Sequence, residues 1–142
     1  MQDGAFDEAV KGVDAIEHIA SPCHFHADDP AELLEPAIRG TVGILESARK
    51  YGTAVKRVVV TSSCAAVMTV SDQPQFLSEV EEKGRAASAE AKYNTSKILA
   101  ERAAWDFVAK HGDADATDTG VDTPVTTTNT FSNEFSLSTE PE

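Results

Sequence analysis

This chain has little cysteine, little positive charge and no long apolar run, and each shortage removes a class of protein. Its two cysteines, Cys23 and Cys64, match neither a CxxC nor a metal-knuckle spacing. That points to a reduced, cytoplasmic setting rather than a disulfide framework. Lys and Arg number 12 against 24 Asp and Glu, a formal net charge of −12. Such a balance argues against a nucleic-acid partner and against docking on an anionic membrane. No apolar stretch reaches the ~18 residues of a membrane-spanning helix. The opening Met1-Gln2-Asp3-Gly4 is neither basic nor followed by an apolar core, so it does not read as a secretory signal. There is no internal repeat, and no GxGxxG or GxxGxxG occurs in residues 1–142.

What is present suits one domain with a modest core. The 142 residues are 41% hydrophobic, enough for a globular unit of this size. The acidity is uneven: residues 111–142 hold seven acidic side chains and no Lys or Arg. The stretch 113–142 is rich in Thr, Ser and Asp, and its few apolar residues bury too little surface to offset ordering it. It is expected to be a disordered acidic tail following a domain over residues 1–112.

Along that domain, residues 5–12 read as a short helical turn stopped by Gly12. Val13–Ala20 reads as a strand ended by Ser21-Pro22, although Glu17 and His18 are unusual in a buried parallel strand. Asp28-Asp29-Pro30 signals a helix start. Leu33, Leu34, Ala37, Ile38, Val42, Leu45 and Ala48 then recur at helical period up to Tyr51, and Gly52 ends the run. Pro36 predicts an irregular first turn or two. The best strand is Val55–Ser63, β-branched and flanked by polar residues. Strand, long helix and strand make a βαβ unit, hence a right-handed crossover in a parallel sheet, with ligands expected at the carboxyl ends of the strands. Ser21 and Ser63 fall there. Residues 64–85 read as loop, with a turn over 71–75. Residues 86–110 favour helix, burying Ile98, Ala100, Ala103, Ala104, Phe107 and Val108, and with Trp105 expected in the core.

Tyr93 and Lys97 stand four apart on that last helix, so both project from one face. A phenol has an unperturbed pKa near ~10, and an ammonium beside it favours the phenolate. Such a hydroxyl serves as a general acid toward a carbonyl or a base toward an alcohol. A serine at a strand end could hold the carbonyl oxygen. On spacing alone, an exposed helix pair without chemistry is the stronger reading of Tyr93 and Lys97.

Several stretches taken in order resemble the extended short-chain dehydrogenase/reductases of the NAD-dependent epimerase/dehydratase family. They are Gly12-Val13-Asp14-Ala15, His18-Ile19-Ala20-Ser21-Pro22, Gly40-Thr41, Lys56 to Ser63, Tyr93-Asn94-Thr95-Ser96-Lys97 and Ala100 to Trp105. The nearest look is to plant dihydroflavonol and cinnamoyl-CoA reductases and fungal aldehyde or methylglyoxal reductases. The resemblance covers roughly residues 5–110. It implies an α/β fold, a partial doubly wound parallel sheet of Rossmann-like type, incomplete at both ends. It also implies an NADP cofactor, with NAD as the alternative, and a small carbonyl substrate. Ser63 would polarise the carbonyl, Tyr93 donate the proton, and Lys97 lower the tyrosine pKa while holding the nicotinamide ribose. Ala20, Ser21 and Ser62 would line the cofactor cleft.

The departures are equally specific. The family's glycine-rich phosphate turn would lie before residue 1, its later strands would follow the Trp105 helix, and Gly43 replaces an Asn common after Gly40-Thr41. The expectation is therefore a middle segment of a reductase, with a non-catalytic remnant as the competing reading. A remnant would expose unpaired sheet edges and either self-associate or be degraded. His18, Cys23, His24 and His26 lack a standard zinc spacing, and Cys64, without an evident activating base, reads as a small packed hydrophobe.

Overall fold

The computed structural model describes residues 2–24, 26–67, 73–111 and 125–128. Strand β1 (Ala15–His18) leads to helix α1 (Ala31–Tyr51), strand β2 (Arg57–Thr61), helices α2 (Cys64–Val67) and α3 (Gln73–Lys83), helix α4 (Ala89–His111) and strand β3 (Val125–Thr128). The sheet order is β1-β2-β3, and both pairings are parallel. Ile16 lies opposite Val58, and Val58 opposite Val125. The expected βαβ unit is thus β1, α1 and β2, an α/β fold with a parallel sheet.

Local chemistry explains the ends of α1. The Asp29 carboxylate accepts from the Ala31 N–H at 3.0 Å, and the Glu32 side chain accepts from the Asp29 N–H at 3.4 Å. This reciprocal arrangement satisfies donors that a helix start leaves open. The Ala31 N–H, and next the Arg85 guanidinium, hold the Asp29 carboxyl below its ordinary range. The helix runs unbroken through Pro36, and no irregular first turns appear. A single proline near a start that is tied on both sides costs only its own hydrogen bond. At the other end, a Cβ on Gly52 would meet the Ala48 carbonyl oxygen at 2.6 Å and Val55 Cγ2 at 2.8 Å. Glycine is needed there for space. Gly12, at φ +71°, is needed for conformation.

The core lies where α1 and α4 cover one side of β2. Ile44, Leu45 and Ala48 of α1 meet Val58 and Val60 of β2, Val10 and Val55 of the connections, and Ala104 of α4. Strand β2 alternates accordingly, with Val58 and Val60 buried and Val59 half-buried between them. A smaller cluster joins Val80, Ala87 and Ala91, flanked by Leu34 and Phe76.

Four expectations are corrected. Residues 64–67 and 73–85, expected as loop, fall in α2, α3 and a 3-10 turn. Within the expected 71–75 turn, Gln73–Gln75 open α3, and 71–72 lie outside the described residues. Trp105 is 47% exposed and not a core residue. Residues 125–128, placed by composition in the structureless tail, form β3. The remainder of 113–142 lies outside the described residues.

Candidate active site

Helix α4 presents an unusual buried face. Lys92, Asn94, Thr95, Ser96 and Lys97 are all buried, beside Ala91, Ile98 and Ala100. Small residues let α1 approach closely, and the polar groups are accommodated by specific partners. Ser96 Oγ donates to the Tyr93 carbonyl, and Thr95 Oγ1 to the Phe76 carbonyl. Lys92 Nζ donates to three backbone carbonyls, those of Ala27, Asp28 and Arg85, at 3.0, 3.2 and 2.8 Å. All three ammonium hydrogens therefore have acceptors, as a buried cation requires. The loop after β1 is thereby stapled to the residue next to Tyr93.

Tyr93 meets Ser63, at the carboxyl end of β2. Burial pushes the Tyr93 phenol above its ordinary value; a hydrogen bond with Ser63 pulls the other way, and Cys23 and Cys64 nearby push it further up. Ser63 Oγ also accepts the Ala65 N–H at 3.2 Å, which fixes the hydroxyl at the start of α2. The strand-end serine and the helix tyrosine, thirty residues apart in sequence, thus share one site.

The electrostatics differ from the sequence expectation at one point. An ammonium beside Tyr93 was expected to lower the phenol, and here burial raises it. Lys97 is itself lowered by burial, and Cys23 counteracts that. Withdrawal of the phenol from water dominates, and what opposes it is the Ser63 hydrogen bond rather than the cation four residues along.

The remaining candidates divide. Ala20, Ser21, Ser62 and Lys97 line one cleft, together with His18, Thr41, Val60, Thr61, Ala100 and Glu101. Ser62 Oγ is engaged by the Glu101 carboxylate, so its hydroxyl already has a partner. Ser21 Oγ is buried without a partner and points away from solvent. Sequence reasoning missed the parts played by Cys23, Glu101 and Lys92. Glu101 lies four residues after Lys97, a spacing that places both on one face, whereas nothing local in the sequence marks Cys23 or Lys92 as partners of this site.

Comparison with known proteins defines the class. The chain belongs to the NAD dependent epimerase/dehydratase family, whose model matches residues 1–132. It is 43% identical to ketoreductase azaE of Aspergillus niger, over 75% of this chain and 34% of that protein. It is also 43% identical to a putative NADPH-dependent methylglyoxal reductase of Candida albicans, over 75% of this chain and 35% of that protein. Among solved structures, yeast methylglyoxal/isovaleraldehyde reductase Gre2 complexed with NADPH superposes with a TM-score of 0.68 at 32% identity, covering 88% of this chain and 39% of that one. The fold is accordingly that of the Rossmann-type reductases, and the chain spans little more than a third of these relatives.

Proposed function

We propose that this chain carries the carbonyl-reducing half of an NADPH-dependent reductase acting on small aldehydes or ketones, with NAD as the alternative cofactor. The carrying observation is the contact between Tyr93 and Ser63, which puts a proton donor and a hydroxyl at one point beside a strand end. The likeness to reductases whose names specify methylglyoxal and NADPH supports the same reading.

The residues present suit the nicotinamide-ribose end of such a cofactor: Lys97 supplies donors, and Ala20 and Ser21 close β1 beside it. Ser21 and Ser62 would contribute through main-chain atoms, because their hydroxyls face inward or toward Glu101. The pyrophosphate end finds no glycine-rich turn among residues 1–142. When bound, the cofactor supplies a hydride to the carbonyl carbon. Ser63 holds the carbonyl oxygen, and Tyr93 donates its phenolic proton to that oxygen as negative charge develops on it. A phenol held above its ordinary value stays protonated at neutral pH, the state an acid needs. Lys97 places positive charge behind it.

The test is incubation of the full chain with NADPH and methylglyoxal. The expected result is cofactor oxidation that falls about 100-fold or more in Tyr93→Phe. No oxidation, together with no heat of NADPH binding by titration calorimetry, favours the non-catalytic remnant instead. We further propose that the outer edge of β1, without a strand partner among the described residues, supports self-association.

A further inference from the structure

We propose that His18, Ser21 and Lys97 form a binding site for one water molecule behind the proposed active site, and that His18 is a positioning residue acting through Lys97. The catalytic consequence rests on the reductase reading above; the site itself does not.

Two buried side-chain atoms among the described residues lack a hydrogen-bond partner, His18 Nε2 and Ser21 Oγ. They line the same cleft, and Lys97 lines it with them. His18 is 8% exposed, so an unpaired imidazole nitrogen there carries the cost of a buried polar group. The free space among these residues is about 10 Å³, on the order of one water-sized sphere. A buried water needs two to four polar partners. Here the Lys97 ammonium donates to the water oxygen, and the water donates one hydrogen to His18 Nε2 and one to Ser21 Oγ. Both orphaned atoms then have a partner.

Burial and the neighbouring charge keep the imidazole neutral, and in its Nδ1–H tautomer Nε2 is an acceptor. Burial first, and then the Lys97 charge, hold His18 below its ordinary value, so it is neutral at pH 7. Lys97 and Glu101, both on α4, are the titratable groups lining the cleft beside it, and Glu101 is engaged by Ser62. From the N-terminal turn it meets the Phe6 ring edge-on, and Thr41 of α1, Val60 and Thr61 of β2 and Ser62 just after it line the cleft. A water fixed by a neutral histidine solvates the ammonium of Lys97, which burial otherwise disfavours. It thereby keeps Lys97 charged at the alkaline end of the working range.

The experiment measures the titration of Lys97 by NMR of ¹³Cε-labelled lysine in the full chain, with the resonance assigned by its loss in Lys97→Arg. No cofactor is needed, so the result stands apart from the reductase assay. His18→Leu is expected to move the Lys97 midpoint down by about half a pH unit or more. His18→Gln, which restores an acceptor near the same place, is expected to return it close to wild type. Ser21→Ala, a smaller change to the fold, is expected to shift it in the same direction as His18→Leu, and supplies the readout should that variant fail to fold. An unmoved or raised midpoint in His18→Leu and Ser21→Ala overturns the proposal, as does equivalence of His18→Leu and His18→Gln.

Discussion

At the scale of single residues, the site shows function and stability pulling apart. Lys97 is lowered from its ordinary value by burial, so the folded state disfavours its charge while the unfolded state does not. Below the folded pKa both states are protonated and that cost is present in full. Above the unfolded value of 10.5 both are neutral and the cost is gone. Lys97→Met is therefore expected to raise the thermal midpoint at pH 7, with the gain vanishing as pH passes 10.5, while the proposed reductase turnover is lost. Differential scanning calorimetry across that range checks both sign and window. Tyr93 works in the opposite sense. Its folded value is raised above 10.0, so a proton-donating Tyr93 keeps the reduction rate level through neutrality, and the rate declines only above about pH 10. A rate already falling near pH 8 would show that Lys97 governs the phenol after all.

At the scale of elements, α4 turns its polar residues inward and holds them with backbone acceptors. Lys92 is the clearest case. Its ammonium closes on three carbonyls, fixing the loop that carries Cys23 toward Tyr93. Replacing Lys92 by Met leaves three carbonyls without their donor. We expect a loss of about 2–4 kcal/mol in urea unfolding, where an exposed lysine would cost little. The same variant is expected to lose much of the proposed reductase rate, because the loop partner of Tyr93 is released. Helix α1 relies on ordinary means: Asp29 and Glu32 at its start, and close contact at Gly52 to end it.

At the scale of the molecule, three parallel strands and two long helices form a layer of helix on one side of a short sheet. Its outer strand β1 has no neighbour on its far side among the described residues. Sedimentation velocity is expected to show a weight-average mass that rises with protein concentration, and a concentration-independent monomer rejects edge pairing. Strand β3 is the element that composition concealed. Its β-branched run, Val125-Thr126-Thr127-Thr128, was the local signal, but it stands in an acidic, Thr-rich stretch with no apolar period. Its parallel pairing with β2 supplies the order that this signal alone could not specify.

The sequence by itself determined the βαβ unit, the strand-end serine, the helix bearing Tyr93 and Lys97, and the capped start of α1. Each is written in a short window, where hydrophobic period, β-branching and capping chemistry act between near neighbours. Only the tertiary structure decided that Ser63 reaches Tyr93, that burial rather than Lys97 sets the phenol, that Lys92 is a buried staple, and that Trp105 faces solvent. Those outcomes depend on desolvation and on contacts between residues tens of positions apart, which arise only once α4 has been laid against β2 and the loop after β1.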